Sequence, residues 1–159
     1  MNERLEDGCL CGAVRFQTIG PPVTTCICYC RFCQRVSGSA FVAEAFFPKE
    51  NVSFSGGPIS TFDYRSPEHG RALRVHSCAK CASTVGVTAE RYPEYFVLYR
   101  GAFDDPSWFE PRFHLFTQES ADWMIIPEDV KCYARHSLKS DGTWETPVPA
   151  PKRRERGTD

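Results

Sequence analysis

Short runs of alternating apolar and polar residues, broken every few positions by glycine or proline, set the rhythm of this chain. Residues 11–18 place Val14, Phe16 and Thr18 on one side and Arg15 and Gln17 on the other. That period of two is the mark of a half-buried strand. Gly20-Pro21-Pro22 interrupts it, and residues 23–27 form a second β-prone run. Residues 31–36 are expected to make one short helical turn before Ser37-Gly38-Ser39. Residues 40–47 are apolar apart from Glu44, as in a buried strand that stops at Pro48. Residues 51–55, 71–77, 83–88 and 94–100 read as further strands, and residues 59–64 are ambiguous. Ser66-Pro67-Glu68-His69-Gly70 is a turn signal, and residues 101–106 break the pattern ahead of the aromatic stretch Arg112-Phe113-His114-Leu115-Phe116. There is no internal repeat and no long amphipathic helix. The expectation is a small, mainly β single domain of short strands with few short helical turns.

Composition agrees with that reading. A length of 159 residues suits one domain with a real core, and 13% aromatic residues suit pleated, half-buried surfaces. No apolar run is long enough to cross a bilayer. The start, Met1-Asn2-Glu3-Arg4-Leu5-Glu6-Asp7, is too polar and acidic for a secretory signal, so a cytoplasmic location is expected. A formal net charge of −1 gives no support for nucleic-acid binding. The basic run Lys152-Arg153-Arg154-Glu155-Arg156 follows Pro147-Val148-Pro149-Ala150-Pro151 and reads as a solvated, flexible tail over residues 147–159.

Cysteine distribution changes the picture most. Seven of the nine cysteines fall in three clusters: Cys9 and Cys11, then Cys28, Cys30 and Cys33, then Cys78 and Cys81. In a reducing compartment such spacing points to metal binding or catalysis more than to disulfides. The first and last pairs together offer the four sulfurs of a closed, structural zinc site. The middle cluster is open to two readings. Cys28, Cys30 and Cys33 alone would leave one coordination position for water or substrate. Cys26, which alternates with Cys28 and Cys30, would close the site as a fourth ligand. Sulfur-only tetrahedral ligation suits iron as well as zinc. Arg31 and Arg35 are candidates to offset thiolate charge or to attract an anionic substrate, against a reading as solvated surface. Cys132 reads as a buried apolar residue. His69, His76 and His136 lack ligand spacing, and Asp104-Asp105-Pro106 reads as a turn.

These motifs carry a resemblance. Gly8-Cys9-x-Cys11-Gly12-x-Val14-Arg15-Phe16, Cys28-x-Cys30-x-x-Cys33 with Ser37-Gly38-Ser39-Ala40-Phe41, and Cys78-x-x-Cys81 are similar to the glutathione-dependent formaldehyde-activating enzyme family, also called the centromere-protein-V/GFA domain family. Asp104-Asp105-Pro106, Pro111-x-x-His114-Leu115-Phe116 and Trp123 extend the likeness over residues 8–124. The resemblance implies a zinc-binding domain over residues 1–146 with two zinc ions per chain. It assigns Cys9, Cys11, Cys78 and Cys81 to a structural zinc and Cys28, Cys30 and Cys33 to a catalytic one. It implies a carbon–sulfur lyase, an S-(hydroxymethyl)glutathione synthase-like enzyme joining formaldehyde to a thiol such as glutathione. Tyr29 stands where the family often has histidine, and Ala82 where it often has glycine. His114 is a candidate acid–base group or substrate contact, against a hydrogen-bonded core residue. Two rival functions remain: a non-catalytic zinc-binding interaction module, and lyase chemistry on a different thiol or thioether. Oligomeric state and true substrate are not legible.

Overall fold

The computed structural model describes residues 4–67 and 70–152, so His69 and the basic residues from Arg153 onward lie outside the described residues. In chain order the strands are β1 (Arg4–Gly8), β2 (Val14–Ile19), β3 (Thr24–Cys28), β4 (Val42–Pro48), β5 (Val52–Gly56) and β6 (Ile59–Arg65). They continue with β7 (Ala72–Cys78), β8 (Thr84–Ala89), β9 (Tyr95–Tyr99), β10 (Phe113–Leu115) and β11 (Lys131–Cys132). Among the described residues one α-helix, α1 (Arg31–Ser37), follows β3, and the protein is mainly β. Among the described residues no helix is long and apolar enough to cross a membrane.

The chain divides into two compact units, the first made of residues 1–25 and 44–109. Here β1, β2 and β5 form an antiparallel sheet in the order β1-β2-β5. A second antiparallel array runs β4-β9-β8-β7-β6. Val14, Phe16 and Thr18 are the buried side of β2, as the alternation predicts. Val14 and Phe16 meet Phe47, Val85, Leu98 and Phe103 in one core that also includes Cys9 and Cys78. Phe16 stacks edge-on against Phe103 at 5.4 Å, and full burial of such a ring contributes about 1.5–3 kcal/mol. The core therefore anchors one cysteine from each end of the quartet. Gly86 has a packing reason to lack a side chain: a Cβ there would lie 2.2 Å from the Val97 carbonyl oxygen.

Two details differ from expectation. The β1 strand arises although its sequence is polar, because pairing with β2 supplies its hydrogen bonds from Arg4↔Ile19 to Gly8↔Arg15. β2 starts at Val14, not Cys11, because Cys9 to Gly12 is spent on a turn in which the Gly12 N–H donates to the Cys9 carbonyl.

The second unit comprises residues 26–43 and 110–159. Its strands run in the order β11-β10-β3 with parallel pairing: Cys26, Ile27 and Cys28 lie beside Phe113, His114 and Leu115. Helix α1 starts at Cys30, whose sulfur accepts from the Cys33 N–H at 3.4 Å. It ends at Gly38, whose left-handed φ of 66° lets its N–H return to the Gln34 carbonyl. Chain segments after β10 are tied by backbone bonds such as Tyr133 N–H to the His114 carbonyl. Val148 N–H likewise reaches the Cys132 carbonyl at 2.8 Å.

Candidate metal centres

Two turns build the first centre. After β1, the Cys9 N–H donates to the Val14 carbonyl and the Val14 N–H donates back to Cys9 Sγ at 3.3 Å. After β7, the Cys78 N–H donates to the Ser83 carbonyl and the Lys80 N–H reaches Cys78 Sγ at 3.4 Å. Both turns close through a left-handed residue directly after the last cysteine: Gly12 at φ 72° and Ala82 at φ 59°. Ser83 joins them, its Oγ accepting from the Leu10 N–H at 3.2 Å and lying 3.2 Å from Cys81 Sγ.

The four sulfurs of Cys9, Cys11, Cys78 and Cys81 all lie within 4.8 Å of one another. Cys9 and Cys11 are 3.6 Å apart and Cys11 and Cys78 3.9 Å. A thiolate tetrahedron with bonds of about 2.3 Å has edges of about 3.8 Å, so the donor set fits zinc. Proton affinities are already split across the quartet. The Ser83 hydroxyl and then its N–H hold the Cys81 thiol down at about 5. At Cys11 the Ala13 N–H pulls downward, yet partial desolvation and the sulfurs of Cys81, Cys9 and Cys78 push the thiol up to about 11.

The second centre is the junction of β3 and α1. Cys28 ends the strand, Cys30 caps the helix and Cys33 lies in its first turn. Their sulfurs are mutually within 4.8 Å, with Cys28 and Cys33 buried and Cys30 half-buried. Hydrogen bonds from the Cys28 and Cys33 thiols hold the Cys30 thiol down at about 3, helped by the N–H groups of Cys33 and Phe32 and opposed by burial. The trio therefore presents a thiolate at neutral pH, the form that ligates metal. Three sulfurs again suit zinc or another thiophilic metal.

Cys26 is not part of this cluster among the described residues. A continuous strand through Cys26, Cys28 and Cys30 does not form, because β3 ends at Cys28 and Cys30 turns away as the helix cap. Cys26 stays in β3, fully buried. Among the described residues no two cysteines form a disulfide.

The remaining candidates fall into place around these centres. Tyr29 and His114 are both buried and bonded to each other, Tyr29 Oη to His114 Nδ1 at 2.9 Å. Burial pushes the Tyr29 hydroxyl up to about 12 and the His114 ring down. Both side chains are thus committed to a core contact. Arg31 is held at its backbone N–H by the Glu119 carboxylate, and Arg35 is exposed in the last turn of α1. Asp104 pairs with Arg15, and Asp105 accepts from the Ser107 N–H. His76 bonds Thr88, His136 accepts from the Leu138 N–H, and Cys132 is fully buried. Gln34 and Glu119, which contact the backbone on either side of Cys30, carry no sequence signal: 85 residues separate them.

Comparison with known proteins places this arrangement. Residues 4–119 match the sequence profile described as "Glutathione-dependent formaldehyde-activating enzyme". A Halomonas elongata protein, provisionally named a glutathione-dependent formaldehyde-activating enzyme, is 30% identical over 146 residues. That match covers 88% of this chain and 93% of the relative. A crystal structure of a Rhodobacter sphaeroides protein is similar over 68% of this chain and 93% of its own, with a TM-score of 0.50 and 17% identity, a likeness of fold. With more than half its length matched, the chain belongs to the glutathione-dependent formaldehyde-activating enzyme family.

Proposed function

We propose that the protein is a zinc-dependent carbon–sulfur lyase that makes or breaks the S-hydroxymethyl adduct of glutathione or a related thiol. Cys28, Cys30 and Cys33 hold the catalytic zinc; Cys9, Cys11, Cys78 and Cys81 hold a structural one. The observation that carries this reading is the contrast between the two centres. One gathers four sulfurs, which complete a zinc shell, whereas the other gathers three, and Cys26 is outside it. Family membership supplies the reaction class.

In the forward direction the thiol sulfur bonds to the aldehyde carbon, the carbonyl π pair becomes a hydroxyl, and the thiol proton ends on that oxygen. When bound, zinc supplies a Lewis acid that favours thiolate and polarised carbonyl oxygen. Everything else is positioning by the chain. The Cys30 sulfur is held at the start of α1, where it accepts from the Cys33 N–H, so one ligand of the trio is oriented in advance. Tyr29 Oη and His114 Nδ1 are bonded to one another, which orients the buried imidazole. Replacing Cys30 by Ser should abolish turnover and leave a folded protein with one zinc in place of two. Full activity in that variant would refute the assignment.

A further inference from the structure

We infer that Gln34 and Glu119 are positioning residues that set the backbone on both sides of Cys30, and through it the geometry of the metal-binding trio. This rests on the reading that the trio holds metal. Residue 29 precedes Cys30, and its peptide is fixed at both ends: the N–H donates to the Leu115 carbonyl at 3.0 Å, and the carbonyl accepts from Gln34 Nε2 at 2.6 Å. Residue 31 follows Cys30, and its N–H donates to Glu119 Oε2 at 2.8 Å. Gln34 Nε2 also donates to the Glu119 carbonyl at 3.1 Å, while its Oε1 accepts from the Arg31 guanidinium. Every polar atom of the Gln34 side chain thus joins the cysteine turn or the segment facing it.

That facing segment is itself held. The Thr117 N–H and Oγ1 both donate to the Tyr133 carbonyl at 3.1 Å, and Ser120 Oγ donates to the Thr117 carbonyl at 2.7 Å. Glu119 therefore stands on a 3-10 turn (Thr117–Glu119) whose backbone is tied at Thr117 and Ser120. Its carboxylate meets one of the four N–H groups that a helix start leaves without an intrahelical acceptor, where a negative oxygen is stabilising. A carboxylate this close to a thiolate trio does nothing to neutralise it. The contribution is geometric.

Partners that orient metal ligands without touching the metal are costly to lose, commonly about 10–100-fold in affinity. The experiment follows zinc release from the full-length protein to a chromogenic chelator. The Cys30→Ser variant identifies the phase that belongs to the quartet. Gln34→Ala and Glu119→Ala should weaken the trio's zinc by about 10–100-fold and leave the quartet phase unchanged. Glu119→Gln, which keeps an oxygen for the Arg31 N–H, should stay within a few-fold of the unaltered protein. An unchanged trio phase in both alanine variants overturns the clamp alone. So does parallel weakening of both phases, which marks general loosening, or a Glu119→Gln variant as impaired as Glu119→Ala. An unaltered protein that releases only one zinc overturns the proposed function, and the clamp with it.

Discussion

Ala82 and Gly12 occupy equivalent places in the two turns of the quartet, and the structure predicts that exchanging their residue types moves stability in opposite directions. Both sit directly after the last cysteine of their turn, both have left-handed φ, 59° and 72°, and both contribute an N–H that closes the turn. The Gly12 N–H reaches the Cys9 carbonyl at 3.0 Å, and the Ala82 N–H reaches the Cys78 carbonyl at 2.9 Å. A side chain in this conformation costs roughly 1–2 kcal/mol because Cβ crowds the following carbonyl. Ala82 is exposed, so its methyl offers little packing in return. At Gly12 a Cβ would meet nothing within 4 Å, so any penalty there is a backbone penalty.

Glycine also enlarges the unfolded ensemble by about 0.4–1 kcal/mol, which offsets part of the relief. Ala82→Gly should therefore stabilise the protein by about 0.5–1 kcal/mol, and Gly12→Ala should destabilise it by a similar amount. For a chain of this size that is a rise or fall of melting temperature of about 1–4 °C. The comparison needs urea or thermal unfolding at saturating zinc, since bound metal adds its own concentration-dependent stabilisation. A drop in stability for Ala82→Gly would refute the reasoning, because it would mean that the methyl does something the backbone geometry does not reveal.

Two further outcomes follow from buried polar groups. Tyr29→Phe removes the hydroxyl from His114 Nδ1 and leaves a buried ring nitrogen without that partner, so stability should fall by about 1–3 kcal/mol in thermal unfolding; an unchanged melting temperature would contradict the pairing. Asp7 is buried, and burial raises its carboxyl from 3.8 to about 6 against the opposing Asp104 N–H. The native state therefore binds this proton more tightly than the unfolded chain does. The stabilisation is present below about 4 and is lost as pH rises through about 6. Asp7→Asn cannot ionise, so its stability relative to the unaltered protein should improve between pH 4 and pH 7, by roughly 2–3 kcal/mol. A pH-independent difference in urea midpoints would reject the burial argument.

The strands that the sequence reveals are those with two unequal faces. β2 is legible because Val14, Phe16 and Thr18 are buried while Arg15 and Gln17 are less so. β6 is ambiguous for the opposite physical reason: from Ser60 to Asp63 every residue is exposed, so alternation has no burial difference to report. Its existence depends on pairing with β7, from Ile59↔Cys78 to Arg65↔Ala72. β1 is hidden in the same way, a polar segment recruited by its neighbour.

The same distinction separates the clustered cysteines from what surrounds them. Within each cluster the cysteines are one to three positions apart, so a single turn brings them together and spacing announces them. Whether Cys26 joins the trio depends instead on where β3 stops, and no local pattern marks Cys28 as its end. Termination there converts Cys30 from the third residue of a strand face into a helix cap, and Cys26 is left behind in the strand. The bonds around that junction run to residues 115 and 119, far along the chain. Cysteine clustering is thus a local property of this sequence, whereas the junction that decides which sulfurs meet at the second candidate centre is held by long-range backbone contacts. On the proposed reading, a mutation in the 115–119 segment alters the second candidate metal centre while its cysteines stay untouched.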